Sequence, residues 1–264
     1  MIRIRSCAGM DEMQACVDLQ IATWGYDESD VIPRKTFLLA QKIGGQVIGA
    51  FETGIEEAAN KGSKEKRETL VGFAMSLPGL KSTLRGPQPY IHSHMLAVRP
   101  SHRNRGLGVR LKWEQRLEAL SRGIRHMEWT FDPLEIKNAF INIHRLGATS
   151  REYRVNFYGV SSSRLQGGLP TDRLLAEWEL DSPRVEALIT SCPAAARTIE
   201  ERILVPASIE KWKAGEATRQ RAFDVQLENQ QKFQKAFSRG LLVLDLSLDA
   251  EGNGVYELGP PSRP

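Results

Sequence analysis

Ile2 and Ile4 alternate with Arg3 and Arg5, the period-two pattern of a short half-buried strand. Residues 11–23 then change period: Met13, Cys16, Val17, Leu19 and Gln20 recur at helical spacing, and the run stops at the loop signal Trp24-Gly25-Tyr26-Asp27-Glu28. The apolar stretch 37–40 predicts a strand, Gly44-Gly45 a turn, and 46–52 the returning strand of a hairpin. Between Glu56 and Glu68 the chain is charged and nearly free of large apolar residues, the mark of a mobile hairpin tip. Residues 70–76 predict the next strand, closed by Pro78-Gly79.

The middle is more regular. Residues 90–98 predict a strand, 99–105 a loop, 109–122 a helix ending at Gly123, 127–131 a strand, 136–146 a short helix ending at Gly147, and 153–158 a strand. This alternation is an α/β pattern, with the strands on either side of the first crossover helix parallel. After a Ser/Gly/Pro-rich stretch at 161–170, residues 173–180 predict another strand. From about 183 a second unit begins, with a strand at 198–205, a helical run from Pro206 to about Ser238, and a hairpin of 241–248 with 255–258. The amphipathic face of that run needs a partner, as a roof over a cleft, beside the sheet, or across a homodimer contact.

Composition narrows the class. The 264 residues carry 36 basic and 32 acidic side chains, a net charge of +4 without a dense basic stripe. That balance suits a small anionic ligand and gives no reason to expect nucleic-acid binding. Cys7, Cys16 and Cys192 form no CxxC spacing, so neither a disulfide framework, a metal site nor a nucleophilic cysteine is expected. With no signal-peptide pattern and no apolar run of spanning length, the expectation is a cytoplasmic protein that does not enter membranes.

The densest chemistry lies in Arg103-Asn104-Arg105-Gly106-Leu107-Gly108, between a strand ending in Val98-Arg99-Pro100 and a helix. Glycine at 106 and 108 permits close backbone approach. The first amides of the following helix have no intrahelical acceptor, and with the helix dipole they suit a diphosphate. Arg103 and Arg105 add bidentate donors. The spacing is neither GxxxxGK[ST] nor GxGxxG. R-x-x-G-x-G after V-x-P resembles the acetyl-CoA signature of the GNAT superfamily of N-acetyltransferases. The strand 128–131, the helix 138–145 and the step Leu146-Gly147-Ala148 extend the likeness over residues 2–180, most specifically 90–158.

That resemblance implies an α/β (α+β) fold with a mixed, splayed central sheet flanked by helices. Residues 1–182 would be the catalytic domain and 183–264 an added helix–hairpin extension. It places acetyl-CoA or another acyl-CoA between strands 94–98 and 127–131, the pantetheine on backbone of Leu96, Ala97 and Val98. The diphosphate would rest on amides of 105–109, among them Leu107, Gly108 and Val109, and Asn138 and Asn142 would face the pantetheine or thiol end. No metal is implied. Many members carry a tyrosine as general acid four residues before the glycine of the last step; here that position is Ile143, and Ala148 stands where phenylalanine is common.

The acid must therefore be sought elsewhere. Tyr158 is favoured over Tyr153 and His144. For the base, His94 and, behind it, His92 lie two apart on the strand bordering the thioester. Trp24 and Tyr26 fall where relatives shape the acceptor pocket, and Asp132 either binds an ammonium or caps the next helix. Arg145, Arg151 and Arg154 would hold a carboxylate only if they point inward. The expected activity is direct transfer of an acyl group, acetyl or succinyl, to the amine of a small molecule or amino acid. The alternative is an acyl-CoA-sensing module without catalysis.

Overall fold

In the computed structural model, residues 1–57, 64–83, 86–159, 163, 166–190, 192 and 197–261 are described. They fall into two compact units, Met1–Ile124 and Arg125–Pro264. Part of the charged hairpin tip (58–63) and part of the Ser/Gly/Pro-rich stretch (161, 162, 164 and 165) lie outside the described residues.

The first unit contains β1 (Ile2–Ser6), α1 (Gly9–Trp24), α2 (Arg34–Lys42), β2 (Gln46–Glu57), β3 (Lys64–Thr83), β4 (Gly86–Val98) and α3 (Leu107–Ser121). Its strands run antiparallel in the order β1-β2-β3-β4. One face of this sheet, with Phe51, Phe73 and Met75, packs on Met13, Cys16 and Val17 of α1 and Phe37 and Ala40 of α2. On the other, Ile48, Ala50, Val71 and Ala74 meet Leu107 and Leu111 of α3. Each fully buried side chain of this size contributes about 1.5–3 kcal/mol.

Beside these apolar contacts, part of the core under α3 is polar. The Ser76 hydroxyl accepts from the Gln46 amide and donates to Gln46 Oε1, each at 3.0 Å. Gln46 Nε2 donates to Gln115 O (2.8 Å), and Lys112 Nζ donates to Ser93 Oγ (2.7 Å). Burial pushes the Lys112 ammonium well below its ordinary value.

Two expectations fail here. Residues 37–40 are helical, because Pro33 opens α2 and Phe37 and Ala40, three apart, are the buried pair while Leu38 and Leu39 are exposed. The strand 46–52 therefore pairs with β1 and β3 rather than returning from 37–40. Nor does Pro78-Gly79 close β3, which continues to Thr83 against β4. Pairing with β2 ends at Ser76, so Pro78 sits where β3 has an open edge and needs no amide there.

The second unit holds β5 (His126–Phe131), α4 (Ile136–Ala139), β6 (Tyr153–Arg154), β7 (Arg173–Glu179), α5 (Pro183–Thr190), β8 (Glu201–Val205), α6 (Ile209–Ala214), α7 (Arg219–Ser238), β9 (Leu242–Leu248) and β10 (Gly254–Gly259). β7 lies between β5 and β6, and β10 between β8 and β9, all antiparallel. The expected α/β class is present, as is the C-terminal helix–hairpin; α5 was not anticipated, and Gly215 divides the long helical run. The strand expected at 153–158 stops at Arg154 and turns, with Asn156 at φ 45°.

α7 buries Ala222, Gln226, Asn229, Phe233 and Ala236, alternating four and three apart. Phe233 stacks on Tyr153 (5.7 Å) and meets Tyr256 edge-on (5.1 Å). The turn after β5 is held from α6 and β10. Lys213 Nζ bonds Asp132 (2.8 Å) and Glu135 (2.7 Å), and the Tyr256 hydroxyl donates to Pro133 O at 2.8 Å. Desolvation opposes the Lys213 charge, but the two carboxylates outweigh it and raise its pKa.

Lys213→Ala, by leaving two carboxylates side by side without their cation, is expected to lower unfolding free energy by about 3 kcal/mol in chemical denaturation. Because the folded-state pKa is raised, the lysine's contribution is complete below its unfolded value of about 10.4 and lost as pH climbs through the folded one. The variant's deficit should therefore persist at neutral pH and shrink only in strong base.

Candidate active site

β4 carries an irregularity at its functional end. Met95 faces Met75, but Ser93 faces Ser76, so His94 is the extra residue of a β-bulge. Ser93 turns inward to Lys112 and to Gln115 Oε1 (3.0 Å), while His94 is exposed. The His92 and His94 rings lie 6.3 Å apart. Desolvation by surrounding atoms, and then the charge of His92, hold the His94 imidazole below its usual value. Past the bulge, Leu96 and Val98 are half-buried and Ala97 is buried in the core.

The loop after β4 is pinned to the sheet. β3 has its own bulge: Phe51 faces Leu70 and Ala50 faces Gly72, leaving Val71 as the extra residue. The Val71 carbonyl accepts the Arg99 amide (2.8 Å), and the Leu70 carbonyl accepts Arg99 Nε (2.7 Å). Pro100–His102 form one turn of 3₁₀ helix. His102 lies between Ser101 Oγ, 2.9 Å from its Nδ1, and Glu52 Oε2, 3.2 Å from its Nε2. Arg103 Nε donates back to Val98 O at 3.0 Å.

Asn104 (φ 61°) and Gly106 (φ 73°) take left-handed conformations, which turn the chain into α3. Gly106 is the cap residue, and its carbonyl accepts the Arg110 amide at 3.0 Å. The amides of Leu107, Gly108 and Val109 precede that first bond and have no acceptor within the helix. A methyl group built on Gly108 would meet only Leu96 Cδ2, at an ordinary 3.5 Å. The fold thus does not require glycine at 108, whereas the positive φ favours it at 106. Arg103 and Arg105 are exposed beside these amides.

Trp24 and Tyr26 stack at 5.6 Å, both half-buried against the core of the first unit. Gln20 secures the loop that follows them, its amide and carbonyl each 3.0 Å from the Ile32 backbone.

The second unit places the remaining candidates. α4 passes into a π-helical turn, Phe140–Arg145, in which the Leu146 amide bonds Ile141 O at 2.9 Å. Trp178 Nε1 and Arg184 hold the carbonyls at its end, at Leu146, Gly147 and Ile143. Asn142 is buried, Asn138 is exposed, and their side chains are a long 3.5 Å apart. Ile143 is fully buried. The exposed Tyr158 has its hydroxyl 2.7 Å from Thr130 Oγ1. The Tyr153 hydroxyl donates to Asp172 (2.7 Å), and burial followed by that bond pushes its pKa up. His144 pairs with Asp245 at 3.0 Å. Asp132 uses one oxygen for Lys213 and the other for the Leu134 amide, at 2.8 Å each. Arg151 bonds Glu177, Arg154 bonds Glu152, and Arg145 lies over Phe140. Among the described residues no helix is long and apolar enough to cross a membrane, and no His, Cys, Asp and Glu cluster is placed to hold a metal.

Comparison with known proteins gives a family. Residues 26–147 match the acetyltransferase (GNAT) family model. Similar solved structures include the ribosomal-protein-S18-alanine N-acetyltransferase of Escherichia coli, at 15% identity and TM-score 0.46, covering 69% of this chain and 96% of that one. The Salmonella typhimurium protein yncA, solved with its cofactor acetyl-CoA, shows 18% identity and TM-score 0.48 over 74% of this chain and 99% of that one. An aminoglycoside 6'-acetyltransferase type Ii shows 16% and 0.48 over 68% and 98%. Among curated proteins the sequence finds no significant match. The R-x-x-G-x-G loop lies inside the stretch that matches the acetyltransferase (GNAT) family.

Proposed function

We propose that this N-acetyltransferase takes its acyl group from acetyl-CoA bound at the loop 103–108, and passes it directly to the amine of a small molecule or amino acid. The observation that carries the reading is the start of α3. Three amides without intrahelical acceptors follow a left-handed Gly106, where an added methyl group would meet nothing within 4 Å, and two exposed arginines stand alongside. A diphosphate there would receive backbone hydrogen bonds, the positive end of the helix dipole and guanidinium donors together. Backbone of Leu96, Ala97 and Val98 would hold the pantetheine arm, and Trp24 and Tyr26 would offer the acceptor a stacked aromatic wall.

In this reading His94 is the base. An amine acceptor arrives as an ammonium ion and must lose a proton before it can attack a thioester. An imidazole whose pKa is depressed is neutral at physiological pH and can accept that proton, directly or through water. Ser93, locked inward, keeps the bulge in place and His94 outward.

A thiol-release assay tests the function. Wild-type enzyme with acetyl-CoA and a panel of amino acids, polyamines and aminoglycosides should liberate free CoA with at least one amine. Gly108→Trp, which sets a bulky side chain beside the helix amides, should abolish release while leaving the thermal midpoint near wild type. Tight acetyl-CoA binding without turnover on any amine would contradict the enzyme reading.

With an acceptor in hand, His94→Ala is expected to lower kcat at pH 7.5 by about 100-fold, with little change in acetyl-CoA affinity. The wild-type rate should fall on an acid limb that lies below the range of an ordinary imidazole, because protonation removes the base. That acid limb should be missing from the variant; an unchanged limb would exclude His94 from proton transfer.

A further inference from the structure

We propose that His102, braced between Ser101 and Glu52, is the positioning residue that sets the cofactor loop before acetyl-CoA arrives; this rests on the reading that loop 103–108 carries the diphosphate. His102 is the buried side chain of the loop, only 9% exposed, among exposed arginines. Its ring is satisfied at both nitrogens by one neutral tautomer: Nε2–H donates to Glu52 Oε2 at 3.2 Å, and Nδ1 accepts from the Ser101 hydroxyl at 2.9 Å. The Glu52 backbone is fixed in turn, since its strand is paired on both sides, opposite Ile2 of β1 and Thr69 of β3.

The consequence is geometric. Arg99 ties the start of the loop to the β3 bulge, but the left-handed turn at Asn104 lies five residues further on. The Arg103 side chain bonds back to Val98 at the end of the strand before it, so His102 supplies the second anchor to another strand, immediately before Arg103 and the helix amides. With two anchors the amides of 107–109 are aimed before binding. With one, acetyl-CoA would have to order the loop at a cost of about 1–2 kcal/mol for each residue fixed. His102 touches no reacting atom in this account and acts through the loop.

The test is calorimetric titration of acetyl-CoA into the full chain, with the thermal midpoint measured alongside. His102→Ala and Glu52→Ala should each weaken binding about tenfold, and the double variant should be no weaker than either single. His102→Gln, whose amide can donate to Glu52 and accept from Ser101, should recover binding to within about threefold of wild type. Wild-type affinity in His102→Ala would overturn the proposal. So would equal losses in the Ala and Gln variants in step with a falling thermal midpoint, the signature of simple packing. If wild type itself fails to bind acetyl-CoA, the cofactor reading fails first and this inference with it.

Discussion

An α-helix must begin with amides that it cannot satisfy itself, and the functional account depends on where α3 leaves them. Leu107, Gly108 and Val109 present theirs beyond a left-handed Gly106, at the end of a loop stitched to the sheet. The stitching uses irregularities rather than regular pairing. The bulge at Val71 gives the Leu70 and Val71 carbonyls to Arg99, and the bulge at His94 turns that ring outward while Ser93 is held inward. Bulges re-aim side chains and carbonyls at the cost of one ladder position, and here both serve the same end of β4.

The second unit shows how an extension becomes structural. The turn Asp132–Glu135 meets a lysine from α6 and a tyrosine from β10, and a bridge joins Ser150 to Val243 of β9. Residues beyond 183 thus supply the cation that makes two neighbouring carboxylates tolerable in a half-buried place. An acidic residue at a strand end, read from sequence, is ambiguous between ligand and scaffold. The structure shows both Asp132 oxygens bonded within the protein.

Parts of the fold were legible. The stripe of α1 follows from spacing, and the end of α3 before Gly123 and the hairpin after Ser238 follow from turn residues. The stretch 37–40 was not legible in the same way. Four consecutive apolar residues fit either period, and only burial of Phe37 and Ala40 beneath exposed Leu38 and Leu39 decides for the helix. The passage of β3 through Pro78 and the π-helical turn at 140–145 depend on partners distant in sequence, Ile91 for the one and Trp178 and Arg184 for the other. The proposed role of the loop 103–108 rests on its own glycines and arginines, which the sequence displays. Its second anchor did not, because Glu52 and His102 are fifty residues apart and neither type is diagnostic alone.

Where the diphosphate sits can be read from backbone amide chemical shifts. On titration of ¹⁵N-labelled protein with CoA, the account predicts large shifts at the amides of Gly106, Leu107, Gly108 and Val109. Desulfo-CoA, which keeps the diphosphate, should reproduce them, and pantetheine, which lacks it, should not. Saturable CoA binding that leaves those four amides unmoved would contradict the account, whatever activity the protein shows.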